Sequence, residues 1–129
     1  MSTDSLFNIV LKVPSILLLF ICYEIRAQKP KDGTYTYKVA FAEWGGKSLG
    51  STCTVVIKGN SIKIIANDKT NFNEIKKGDI IEQGTIMKHK KTGQWIIGHV
   101  AKDIFAKEVG GCSDGPTVID FKNKKWWTC

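Results

Sequence analysis

Large side chains recur at every second position along much of this chain, and this period of two is the strongest constraint on its fold. In the segment 34–41 one face carries only large side chains, those of Tyr35, Tyr37, Val39 and Phe41. The other face is small or polar, an alternation that is typical of a strand with one buried face. The segment is therefore predicted to be a strand that packs against a hydrophobic core.

Two hairpins extend the pattern. Residues 52–58 and 61–66 alternate in the same way and are separated by Gly59-Asn60, a pair that tolerates positive φ and suits a two-residue turn. Residues 79–88 and 94–100 form a second predicted hairpin across the turn 90–93. Gly84 interrupts the first strand of that hairpin and predicts a bulge or bend that curls the sheet.

Two segments break the alternation. In residues 67–78, Asn71 followed by Glu74 resembles a capping box and predicts a single helical turn. Residues 101–109 carry apolar side chains at helical spacing and stop at Gly110-Gly111, which predicts a short helix there.

The chain ends with two more alternating segments, 117–121 and 125–129, which brings the count to about seven short strands. Strands of this length joined by tight turns predict an all-β fold, a small antiparallel barrel or sandwich with meander-like connections. In layout it resembles the small lipocalin-like barrels, whose interiors take apolar ligands. Fold alone does not define function.

Residues 1–27 are predicted to be a cleaved secretory signal peptide whose helix lies outside the fold. Their apolar run, 13–23, is shorter than the roughly 20 residues that a membrane-spanning helix needs, but it suits the core of a signal peptide. Ala27 supplies a small residue for cleavage. Residues 28–129 would then be a single secreted or periplasmic domain with no stable membrane span.

The net charge of +7 belongs entirely to residues 28–129, because the basic and acidic residues of 1–27 cancel. Every basic residue of that domain is lysine, since the chain's one arginine is Arg26. Specific readers of phosphate favour the bidentate arginine fork. The lysines are also scattered along the chain, so a solvated basic surface is expected and nucleic acid is not expected as a partner.

Three cysteines follow the predicted cleavage point, and an exported domain keeps them in an oxidising compartment. A disulfide between Cys112 and Cys129 is the favoured pairing, with Cys53 as a buried free thiol among apolar neighbours. A Cys53–Cys129 bond is the other pairing considered. A third interpretation makes Cys112 a catalytic nucleophile with His99 as its base.

The two histidines give little indication of a metal site. If Lys91 pairs with Gln94 in the second hairpin, position 89 lies opposite 96 and position 99 opposite 86, so His89 and His99 are displaced along the ladder. A zinc site would need further ligands at a suitable spacing, and the sequence has none. No metal and no cofactor is predicted.

The aromatic residues supply the predicted ligand site. Trp44, Lys47 and Leu49 lie in the glycine-rich loop 44–50, which is expected to fold over an open barrel end with Trp44 as its plug. The other interpretation makes this loop the mouth of a ligand site. The remaining candidates are three tryptophans, Trp95 and the adjacent Trp126 and Trp127, of which the last two must point to opposite faces of a strand.

These features predict a non-catalytic binding module. Its ligand would be apolar or amphipathic, with anionic character favoured by lysines at the rim, or else a protein partner. The alternatives are a small exported enzyme that uses Cys112 and His99, and a structural interaction protein of the envelope. The sequence leaves the oligomeric state open.

Overall fold

The computed structural model describes residues 28–129, which form a closed barrel of seven strands. The predicted signal peptide lies outside the described residues. The strands are β1 (Gly33–Phe41), β2 (Thr52–Lys58), β3 (Ser61–Ala66), β4 (Ile80–Lys88), β5 (Trp95–Gly98), β6 (Thr117–Asp120) and β7 (Lys125–Thr128). Two 3₁₀ turns, Ala42–Trp44 and Ala101–Phe105, are the helical segments of this part of the chain.

Consecutive strands are antiparallel, and β1 closes the barrel by pairing with β7 in parallel, from Lys38 opposite Lys125 to Phe41 opposite Thr128. The parallel closure follows from the strand number, because in a meander of seven strands the first and the last run in the same direction. The predicted all-β fold is confirmed as a barrel rather than a sandwich, and its sheet is mixed rather than wholly antiparallel.

The interior of the barrel is the predicted alternating face. Tyr37 and Val39 of β1 are buried there beside Trp126 of β7. The other buried members of this cluster are aliphatic side chains and one thiol, from Cys53, Val55, Ile57, Ile62, Ile64, Ile86, Ile97 and Ile119. Cys53 is a free, fully buried cysteine, as the sequence predicted.

A second apolar layer covers the outside of β5, β6 and β7. Ile96 and Val118 are buried although their neighbours Ile97 and Ile119 occupy the interior. A Cβ atom at Gly110 would lie 2.9 Å from a methyl group of Val118, and one at Gly46 would lie 2.5 Å from the Trp127 ring. The segment 106–116 and the loop 45–49 therefore cover the outer face of these three strands.

The first hairpin has the predicted turn, with Lys58 opposite Ser61 and Gly59 at φ 59°. The predicted register of the second hairpin is wrong by two residues, because Lys88 pairs with Trp95. Its turn spans the predicted residues 90–93, since the His89 amide donates to the Gln94 carbonyl and the His89 ring bonds the Thr92 hydroxyl at 2.8 Å. The pairing of Lys91 with Gln94 on which the register was based does not form.

Gly84 is not a bulge. The irregularity in the β3–β4 ladder lies between Ile64 and Ile65, whose partners are Glu82 and Ile80. A Cβ atom at Gly84 would lie 2.4 Å from the Gly98 carbonyl oxygen. The glycine is therefore needed for the close approach of β4 and β5 rather than for a bend.

The predicted helical turn within 67–78 is wrong. Backbone hydrogen bonds from Ala66 to Asp79 and from Gly78 to Ala66 close this segment as a loop of turns.

The helix predicted at 101–109 is a 3₁₀ turn that ends at Phe105. The carbonyls that would continue it are bonded elsewhere, since Ile104 accepts the Lys90 amide and Ala106 accepts from the His89 ring.

We expect Gly84→Ala to lower the free energy of unfolding by about 1–3 kcal/mol, because the added methyl group would collide with the β5 backbone. Gly33→Ala is the matched control, since its Cβ would meet Tyr35 at an ordinary 3.5 Å. Urea unfolding followed by circular dichroism measures both. Equal stability of the two variants would contradict the close approach.

Burial raises the pKa of the Cys53 thiol from 9.0 to about 12. As the pH rises, the Cys53 thiol ionises in the unfolded chain before it ionises in the folded chain. The contribution of this thiol to the free energy of unfolding is therefore complete below pH 9 and is lost as the pH rises from the lower pKa to the higher one. Between about pH 8 and pH 10 the unmodified chain should lose about 1.4 kcal/mol more than Cys53→Ala does. Urea titrations at both pH values test this, and parallel losses in the two proteins would refute it.

Candidate functional site

The barrel has two ends that differ in charge. The segments 28–33, 58–60, 88–94 and 120–125 connect or precede strands at one end, which we call the basic end. They hold nine lysines and two aspartates, a net charge of +7. The remaining described residues hold eight lysines and eight acidic residues, so they contribute no net charge. The fold thus gathers lysines that are scattered along the sequence.

A cleft opens at the basic end, where β5 and β6 separate. These strands pair at two positions, Ile96 with Val118 and Ile97 with Thr117. Beyond them the hairpin 88–94 and the start of the β6–β7 turn diverge around a volume of about 570 Å³. The cleft is lined by Lys88, Thr92, Gly93, Gln94, Trp95, Val118, Ile119, Asp120, Phe121, Lys122 and Trp127.

Aromatic rings form the apolar wall of the cleft. Trp95 and Phe121 face each other with ring centroids 5.8 Å apart at 60°, and both pack against the core cluster. The Lys88 ammonium lies 5.4 Å from the centroid of the Trp95 ring, a cation–π distance. Lys122 is exposed on the β6 side of the cleft. The cleft therefore combines an aromatic wall with ammonium groups on both sides.

The carboxylate of Asp120 is held by its own turn. One oxygen accepts the Asn123 amide at 3.0 Å, and the other accepts from the Asn123 side chain at 2.8 Å. These bonds are local and fix the β6–β7 turn. Lys88 and Lys122 have no salt bridge among the described residues, so their charges are available to an anion.

A smaller polar pocket of about 460 Å³ lies near the opposite end, around Glu82. One carboxylate oxygen of Glu82 accepts from the Thr117 hydroxyl at 2.5 Å and from the Trp126 indole at 3.1 Å. Its other oxygen lies 3.4 Å from the Nε2 atom of His99. This carboxylate therefore links β4 to β6 and β7.

The candidate residues predicted from the sequence fall into separate places. Trp95 and Trp127 line the cleft. Trp126 is buried in the core, and Trp127 lies on the opposite face of β7 under a loop, as predicted for adjacent residues. Lys47 is exposed in the loop 42–51, at the end away from the cleft.

The prediction that Trp44 plugs the barrel is wrong. Trp44 is 59% exposed and Leu49 is 62% exposed. That end is filled instead by Phe72, whose ring lies 5.6 Å from the Phe41 ring and 6.3 Å from the Trp126 ring. The loop 67–79 supplies this plug, and its sequence has no alternation that would have singled out Phe72.

The disulfide between Cys112 and Cys129 is confirmed, with an S–S distance of 2.05 Å. A bonded Cys112 has no thiolate, so the proposed nucleophile is absent in this form. The two histidines have different partners. His99 faces Glu82, whereas His89 is buried and its Nε2 atom donates to the Ala106 carbonyl at 2.7 Å.

Comparison with protein-family models, with curated proteins and with solved structures found no match to this chain. Within residues 28–129, no helix is long and apolar enough to cross a membrane.

Reduction of the disulfide should lower the free energy of unfolding by about 3 kcal/mol, because the bond closes a loop between residues 17 apart. Urea unfolding with and without reductant measures this. The variant Cys112→Ser/Cys129→Ser is the control, and reductant should leave its stability unchanged. Alkylation of Cys112 in the unreduced protein would contradict the disulfide.

Proposed function

We propose that this protein is an exported, non-catalytic binding module that takes an amphipathic anion in the cleft between β5 and β6. The observation that carries the proposal is the pairing of an aromatic wall, Trp95 and Phe121, with the lysines Lys88 and Lys122 on either side. The proposal of a secreted or periplasmic location is supported by the Cys112–Cys129 disulfide.

The dimensions of the cleft fit a small ligand. Its volume of about 570 Å³ lies within the roughly 300–1,000 Å³ that is usual for small-molecule sites. Much of the barrel interior is filled, since its aliphatic and aromatic side chains pack as one buried cluster. The pocket around Glu82 is smaller and has no lysine in its lining. The ligand would bind in the cleft, unlike the interior ligands of lipocalin-like proteins.

The chemistry of the lining defines the ligand class. An apolar or aromatic body would lie against Trp95 and Phe121, and a carboxylate, sulfate or phosphate would lie between Lys88 and Lys122. Lysine ammonium groups act as point charges without the planar geometry of arginine. The site should therefore tolerate different anionic head groups more readily than it tolerates a neutral or cationic one.

A second candidate is a protein-binding role for the loop 42–51. Trp44 and Leu49 are both exposed there, and Leu49 has a φ of 51°, a left-handed conformation that is strained for a non-glycine residue. This arrangement favours the interaction protein considered above. It involves neither the cleft nor its lysines, so the two functions are separable by mutation.

Tryptophan fluorescence titration with decanoate tests the small-ligand function. We expect saturable binding of decanoate and much weaker binding of decanol and decyltrimethylammonium. The variant Lys88→Gln/Lys122→Gln should bind decanoate about 10- to 100-fold more weakly, as expected for the loss of charge-assisted hydrogen bonds.

The control is Lys63→Gln/Lys69→Gln, which removes two exposed lysines outside the basic end and should bind like the unmodified chain. Equal affinity for decanoate and decanol would rule out an anion site. Equal losses in the two double variants would show that the cleft lysines have no special role.

A further inference from the structure

We infer that the basic end docks on an anionic lipid bilayer and that the cleft receives its ligand at that surface. The charge distribution of the barrel supports the docking. The inference that docking delivers a ligand to the cleft rests on the function proposed above. The partner is thus a membrane surface, and the barrel itself does not enter the lipid.

The first argument is the concentration of charge. Nine of the lysines of residues 28–129 lie in the four segments of the basic end, and most of their side chains are exposed. Clusters of about 4–8 lysines or arginines are typical of surfaces that bind anionic lipids. The segments are also linked to one another, since Asp32 accepts the Gly59 amide at 2.9 Å and the cleft spans 88–94 and 120–122.

The second argument is the position of the cleft. Lys88 and Lys122 belong to the basic end and also line the cleft. A barrel that rests on a bilayer through its basic end would thus hold the mouth of the cleft toward the lipid. An amphipathic anion has its head group at that surface, where the two lysines would meet it.

The third argument distinguishes a bilayer from a nucleic acid. Single-stranded nucleic acids are bound by exposed aromatic side chains on which bases stack, together with arginine. The large apolar side chains that are about half or more exposed are Trp44, Leu49, Ile80, Val100 and Phe105. None of these belongs to the basic end, which also has no arginine. The aromatic rings at this end, Trp95 and Phe121, lie in the cleft and are partly buried against the core. The exposed lysines around them are point charges, which suits a diffuse sheet of anionic head groups.

Co-sedimentation of the full chain with vesicles tests the docking. The vesicles are phosphatidylcholine alone or phosphatidylcholine with about 30% phosphatidylserine, and the readout is the ratio of the two partition coefficients. Any contribution of residues 1–27 is common to all variants and cancels in this ratio. We expect a strong preference for phosphatidylserine that disappears as salt rises to about 0.5 M, since exposed charges are screened.

Two charge-reversal variants locate the surface. Lys31→Glu/Lys58→Glu/Lys91→Glu changes three exposed lysines of the basic end that do not line the cleft. The preference for phosphatidylserine should fall by about 100-fold or more, because each lysine contributes about fivefold. Lys47→Glu/Lys69→Glu/Lys76→Glu makes the same change in net charge outside the basic end and should retain most of the preference.

Three outcomes would overturn the docking. They are no preference for phosphatidylserine, equal losses in the two triple variants, and tighter binding of a single-stranded oligonucleotide than of vesicles at equal phosphate concentration. A failure of the cleft to bind decanoate would be a separate result, which tests the proposed function and not the docking. The basic-end triple variant should still bind decanoate in solution. Lys88→Gln/Lys122→Gln should lose decanoate, and its preference for phosphatidylserine should fall by about 25-fold, less than in the triple variant.

Discussion

Parallel pairing between β1 and β7 closes the sheet, and it fixes the positions of the core, the C-terminus and the disulfide. Four residue pairs, from Lys38 with Lys125 to Phe41 with Thr128, turn a seven-strand meander into a closed barrel. The same contact places Trp126 in the interior beside Val39, where its indole reaches Glu82. It also brings the C-terminal residue to the end of the wall, where the disulfide ties the segment 106–116 to the outside of β5–β7. A wall closed in this way has no free edge at this junction.

Closure also explains where a ligand can bind. A small barrel fills its interior with its own side chains, so space for a ligand must come from the wall or the ends. One end is closed by Phe72 against Phe41 and Trp126. The short β5–β6 ladder leaves a gap at the other end. The cleft is therefore a consequence of unequal strand lengths in a closed sheet.

The two ends of the barrel differ in net charge. A meander sends every second turn to the same end, so lysines that are far apart in sequence meet when their turns share that end. The acidic residues lie mainly in the longer loops elsewhere, and several are bound locally. The carboxylate of Asp103, for example, accepts the His99 and Val100 amides at 2.7 and 3.1 Å, and these bonds lower its pKa. Lysines that are scattered along the sequence thus form one positively charged surface beside the aromatic cleft.

Local patterns in the sequence were enough to predict the strands, the first hairpin and, as the favoured pairing, the Cys112–Cys129 bond with Cys53 as a buried thiol, because alternation, turn residues and loop closure are local or pairwise properties. The barrel plug, the register of the second hairpin and the cleft depend instead on tertiary contacts. Trp44 and Phe72 are both loop aromatics, and only the path of each loop determines which one reaches the core. Likewise, Lys88 and Lys122 are separated by more than thirty positions, and strand pairing alone brings them to one site. Long-range contacts of this kind depend on how the sheet closes, which no single segment specifies.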